Sequence, residues 1–226
     1  MSHAETISAQ RRPRAGSKGE ARRESIMDAA EEIFSDKGYY GSSMRDISQR
    51  SGAALGLITH YFAAKDALFR DVIDRKRGML LDGVSQSIDA AMADPAASTA
   101  SIIRAFVEPF LAVSTDEASP LRNYVRLTSH VMSTYRDPEL IEPLQRLRPV
   151  SDIFSNALAR HLGIEADDNF LAAIYIIESA MIFMTQDSGF LRDLTDGRLS
   201  KIDLDRFVDR AACFFTGGVA ALVRTR

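Results

Sequence analysis

Apolar residues recur at helical spacing along nearly the whole chain. Ile26, Ala29, Ala30, Ile33 and Phe34 fall at i, i+3, i+4, i+7 and i+8, a stripe that predicts a first helix. Lys37 and Gly38 close it: a basic last turn suits the negative end of the helix dipole, and a glycine supplies the left-handed residue that often follows. Ser43-Met44-Arg45-Asp46 reads as the start of a short second helix, with the serine capping free N–H groups and Asp46 in the first turn. Met44 and Ile47 point inward, and Ser51-Gly52 ends the element. Leu55, Ile58 and Phe62 mark a third helix. Leu68, Phe69, Val72 and Ile73, continued by Leu80, Val84 and Ile88, mark a fourth that stops before Asp94-Pro95.

The rest follows the same period. Ile102, Ile103, Phe106 and Phe110 predict a fifth helix, and Leu121, Tyr124, Val125, Thr128, Val131, Met132 and Tyr135 a sixth. Asp137-Pro138 reads as a cap followed by a first-turn proline, opening a seventh helix that Pro143 and Pro149 kink or divide. Two more are expected over about 168–186 and 203–223. No alternating strand pattern and no internal repeat is visible. The expected fold is all-α, about nine helices. The chain divides into a flexible basic tail over 1–21, a trihelical head over 22–76 and a helical body over 77–226.

Composition narrows the function. Hydrophobic residues make up 46% and charged residues 26% of 226 positions, a globular balance with enough chain for a sizeable core. The lone Cys213 excludes an internal disulfide and fits a reducing cytosol. His3, His60, His130 and His161 are scattered, so no metal cluster is expected. The apolar run Phe170–Thr185 is interrupted by Glu178 and Ser179; it reads as a buried helix too short for a membrane span, and no secretory leader is visible. The net charge of −3 hides an asymmetry: residues 1–77 hold 14 Lys+Arg against 11 Asp+Glu, and residues 78–226 hold 14 against 20. A basic front on an acidic body points to a polyanion partner. Arg11, Arg12, Arg14 and Lys18 make the tail either a plain solvated end or an arm that touches DNA.

Residues 43–62 read helix, glycine-containing turn, helix, the arrangement that lays its second helix in a DNA major groove. The stretch GYYGSSMRDISQRSGAALGLITHYFAAKDAL over 38–68, with RRESIMDAAEEIF before it, resembles the DNA-binding domain of TetR/AcrR transcriptional regulators across residues 22–76. Two positions depart from that family pattern: Ala54 stands where a Ser or Thr usually starts the recognition helix, and Thr59 where a Tyr is common. The resemblance implies a ligand-sensing and dimerising body. Residues 100–190 are similar to regulators that answer to fatty acids or their CoA thioesters.

Each candidate has a chemical reason. Ser43 offers a hydroxyl and backbone N–H to phosphate besides its capping role. Arg45 reaches a guanine edge or a phosphate, or is simply solvated. Leu55, Gly56 and Leu57 begin the recognition helix. Gly56 allows close backbone approach to DNA, and Leu57 either touches a thymine methyl or is core. Thr59 has a hydroxyl for phosphate, His60 is a surface, packing or DNA residue, and Tyr61 presents its hydroxyl to phosphate. Lys65 is a point charge for the backbone. In the body, Phe106, Phe110, Tyr124, Thr128, Met132, Tyr135, Tyr175 and Met181 are core or line a pocket. Glu178, a carboxylate within the most apolar helix, binds a ligand's polar group, pairs with Arg122 or Arg126, or lies at a dimer seam. These expectations describe a ligand-responsive repressor. It would be a homodimer joined through the helices near 168–186 and 203–223, bound to a palindromic operator and released by a small apolar effector. An activator or a helical protein-interaction module on the same fold is the alternative. Neither catalysis nor a cofactor is expected.

Overall fold

The computed structural model describes residues 15–132, 138–186, 189–198 and 204–223. Among them every regular element is a helix: α1 Ala15–Lys37, α2 Met44–Ser51, α3 Leu55–Tyr61, α4 Lys65–Ala93, α5 Thr99–Thr115, α6 Arg122–Met132, α7 Pro138–Gln145, α8 Arg148–Leu162, α9 Asp168–Thr185, α10 Phe190–Leu194 and α11 Leu204–Val223. The all-α expectation holds. The count is eleven where about nine were expected, for two reasons. Pro149 does divide its segment, starting α8 in the first turn where its missing N–H costs nothing. The single turn of α10 leaves too short a pattern to read.

The head is built as its stripes dictate. Ile26, Ala30, Phe34, Ile47, Ile58, Phe62, Leu68 and Phe69 are all buried, with the rings of Phe34, Tyr39 and Phe69 packed at 5.1–6.1 Å. Gly38 ends α1 at φ +68°, its N–H bonded to the Phe34 carbonyl at 3.0 Å. A Cβ there would also strike the His130 ring on α6, so the position is closed twice over. α1 begins at Ala15, earlier than its apolar stripe, so part of the expected tail is helical. Arg11, Arg12 and Arg14 lie outside the described residues.

α4 is the spine. Its first half buries Leu68, Phe69, Val72 and Ile73 in the head, and its second half buries Leu80, Val84 and Ile88 in the body. The expected boundary at 76–77 therefore falls within one continuous helix. Ion pairs lash α1 to it. Arg75 meets Glu24, Asp28 and Glu31 at 3.3, 2.8 and 2.9 Å, Lys76 meets Glu31 at 2.7 Å, and Arg23 meets Asp71 at 2.5 Å. Glu31 is 3% exposed, so it survives burial only because both cations neutralise it. In the body, α5 lies between α4 and α11, α6 bridges α1, α5 and α9, and α9 packs on α5, α6 and α11.

Candidate functional site

The second helix of the head is set by its cap. Ser43 takes extended backbone and its hydroxyl accepts from the Asp46 N–H at 3.2 Å. Asp46 in turn accepts from Lys37 at 2.5 Å, tying the end of α1 to the start of α2. Gly52 turns the chain at φ +64°, and the Ser48 hydroxyl donates to the Ala53 carbonyl at 2.7 Å. This tight corner throws α3 outward. Ile58 anchors α3 in the core, while Leu55, Gly56, Thr59 and His60 are exposed and Leu57 and Tyr61 are half-buried against the core. Leu57 thus leans to packing. Seven residues at about 1.5 Å rise make α3 about 10 Å long, a match to a major groove of about 12 Å.

The surroundings sort the remaining candidates. Arg45 is exposed on the outer face of α2 and enters no ion pair among the described residues. Lys65 is corrected. Its ammonium donates to the carbonyls of Tyr39 at 2.9 Å and Ser42 at 3.1 Å and sits 4.2 Å from the Tyr39 ring. It fastens the α1–α2 turn, because two carbonyls and the face of an aromatic ring converge there on a half-buried cation. The sequence reading missed the first turns of α1. There the backbone of Gly19 lies so near Tyr61 that an added Cβ would be 3.4 Å from its hydroxyl. The exposed Lys18 and Arg22 therefore flank the recognition helix. Their basic character was visible, but without an apolar stripe the helix that carries them was not.

A cavity of about 530 Å³ opens inside the body, within the range of about 300–1,000 Å³ common for small-molecule sites. Leu80 of α4, Phe106 and Phe110 of α5, Thr128, Ser129 and Met132 of α6, and Glu178, Met181 and Ile182 of α9 form most of its wall. Six expected pocket residues are thus brought together: Phe106, Phe110, Thr128, Met132, Glu178 and Met181. Two are corrected. Tyr124 is fully buried core whose hydroxyl donates to the Ile73 carbonyl at 2.7 Å, and burial pushes that hydroxyl's pKa far up. Tyr175 is 72% exposed on the outer face of α9. Tyr135 lies outside the described residues. The reading missed the far wall, Leu144, Gln145, Leu147, Arg148, Val150 and Ser151, because two prolines had blurred the helices that carry it.

Glu178 pairs with neither arginine proposed for it: Arg122 faces Glu117 and Arg126 faces Asp36, each at 4.0 Å. One of its carboxyl oxygens, Oε1, is buried without a hydrogen-bond partner among the described residues.

The expectation that the 170–185 run is a buried helix needs correction too. α9 is long and apolar enough to cross a bilayer by length and composition, yet only a third of it is buried. Leu171, Tyr175, Ile176 and Phe183 stand exposed on it, and Phe214 on α11.

Comparison with known proteins agrees with this layout. Residues 26–72 match the profile of the bacterial regulatory proteins of the tetR family, and residues 104–218 match that of the tetracyclin repressor-like C-terminal domain. The HTH-type transcriptional activator FasR of Mycolicibacterium smegmatis is 23% identical over 210 residues, 91% of this chain and 86% of that protein. The HTH-type transcriptional regulator UidR of Escherichia coli is 36% identical over 56 residues, 24% of this chain and 29% of that protein. Among solved structures, FadR of Bacillus subtilis in complex with stearoyl-CoA superposes with a TM-score of 0.60 at 18% identity, covering 86% of this chain and 98% of that one.

Proposed function

This chain belongs to the TetR family of DNA-binding transcriptional regulators, and from that premise we propose that it is a repressor released from a palindromic operator by a small apolar effector. The observation that carries the DNA part is the outward face of α3, where Leu55, Gly56, Thr59 and His60 are all exposed. Arg45 and Tyr61 flank that face for phosphate or base contacts, Ser43 offers its helix N-terminus, and Lys18 and Arg22 extend the contact along the backbone. Two such heads read successive major grooves about 34 Å apart when two subunits join through α9 and α11. The exposed Leu171, Tyr175, Ile176, Phe183 and Phe214 are the apolar surface that such a seam covers.

The effector reading rests on α6. Thr128, Ser129 and Met132 line the cavity, while Arg126 on the same helix faces Asp36 and His130 packs against Gly38 at the end of α1. A ligand that binds one placement of α6 better than another shifts the head with it; equal affinity for both placements would shift nothing. The experiment is operator binding by the purified protein. The double substitution Arg45→Ala, Tyr61→Ala is expected to abolish it with the fold intact by circular dichroism, and wild-type affinity should fall steeply with salt. Unchanged binding by the variant, or a flat salt slope, would refute the interface.

A second reading, activation, is favoured by FasR, the relative that matches 91% of this chain and is named an activator. A reporter carrying the operator upstream of a weak promoter separates the two readings by the sign of the response.

A further inference from the structure

Glu178 is the polar exception in the cavity. Its Oε1 is buried and has no hydrogen-bond partner among the described residues. No cation among the described residues lies within ion-pairing distance of it. Arg122 and Arg126 are directed to Glu117 and Asp36. Arg148, which shares the cavity wall, is 79% exposed and faces Asp152 at 3.6 Å. Burial drives the Glu178 carboxyl above its ordinary range; the Ser151 hydroxyl opposes this and the charge of Asp152 adds to it. A buried acceptor to which the protein directs no donor is costly, so a ligand that supplies the donor gains a hydrogen bond there. Around it, Phe106, Phe110, Met181 and Ile182 offer only apolar surface.

Resting on the reading of this cavity as the effector site, we propose that Glu178 anchors the effector, an apolar chain whose polar end donates an N–H or O–H and carries no negative charge. A free carboxylate at this end would set a second carboxyl group against Glu178, and the cation that shares the wall, Arg148, is already directed to Asp152, whereas an ammonium or a carboxamide places its N–H on Oε1. Donation by an ammonium is charge-assisted and the stronger of the two.

The test is calorimetric titration of the full-length protein with decylamine, decanamide and decanoate below their aggregation concentrations, with no DNA present. Both donors should bind the wild type at least about tenfold more tightly than decanoate. Glu178→Leu should weaken both by about tenfold and leave decanoate unchanged or improved. Glu178→Gln keeps a carbonyl acceptor but loses the charge, so it should weaken decylamine and spare decanamide if both bind as described. Decanoate binding as tightly as the donors, or donors unaffected by Glu178→Leu, would overturn the proposal. If Glu178→Leu does not fold, the wild-type ranking and Glu178→Gln decide. Release of a labelled operator is read separately. Donor binding without release leaves the anchor standing and removes the effector role, while release by decanoate with no preference for donors keeps the regulator and overturns the anchor.

Discussion

Asp46 sits where α1 and α2 meet, accepting from the Lys37 ammonium at 2.5 Å and contacting the Ser43 hydroxyl. Lys37 first, and Ser43 after it, hold its carboxyl down from 3.8 to about 2. The unfolded chain therefore binds this proton more tightly than the folded one. The stability the group adds is complete above pH of about 4 and drains away as pH falls towards about 2. Because the pair is exposed the effect is small, so the titration is the sharper readout. The Asp46 carboxyl should titrate by NMR near 2 in the wild type and higher in Lys37→Met, where Ser43 alone still lowers it, and the same value in both would refute the contact. The capping role of Ser43 was legible because it depends on neighbours three residues away. The fate of Lys65 was not, because the Tyr39 and Ser42 carbonyls that hold it are brought near only by the fold. Tyr124 and Tyr175 diverged for the same reason: both lie on apolar helix faces, and only packing decides that one is sealed against α4 and the other left bare.

Among the elements, α3 poses a conflict that substitution resolves. Gly56 costs about 1 kcal/mol of helix propensity relative to alanine, yet its φ is ordinary and a Cβ there would touch nothing within 4 Å. Nothing inside the protein requires this glycine. Gly56→Ala is therefore expected to stabilise the head, by up to about 1 kcal/mol in chemical denaturation, while weakening operator binding if DNA backbone or bases approach that surface. Unchanged operator affinity would show that the position faces no close contact. The helices with clean stripes, α1 through α6, α9 and α11, could be read from their period. The cavity's far wall could not, since Pro143 inside α7 and Pro149 at the start of α8 break the repeat that would have revealed it.

For the whole molecule, the apolar outer faces of α9 and α11 matter most. Tyr175, Phe183 and Phe214 are 72%, 60% and 75% exposed in one subunit, too much bare aromatic surface for a face that stays in water. Charged substitutions at two of them, Tyr175→Arg with Phe214→Asp, are expected to yield a monomer in analytical ultracentrifugation. The monomer should stay folded by circular dichroism, and operator affinity should collapse because one head alone loses the second half-site. A variant that remains dimeric would move the seam elsewhere.

The unbroken run of α4 from head to body carries a further consequence. At 29 residues and about 1.5 Å each, it is about 43 Å long. Such a rod magnifies: a swing of about 5° about one end displaces the other by roughly 4 Å. Twofold symmetry would mirror that motion in a second copy, so two mirrored swings change the gap between reading heads by roughly twice as much. Leu80, halfway along the rod, is also a wall of the cavity. A guest molecule pressing there works at mid-rod, so a shift of about 2 Å at Leu80 becomes roughly 4 Å at the far end, a misfit on the duplex.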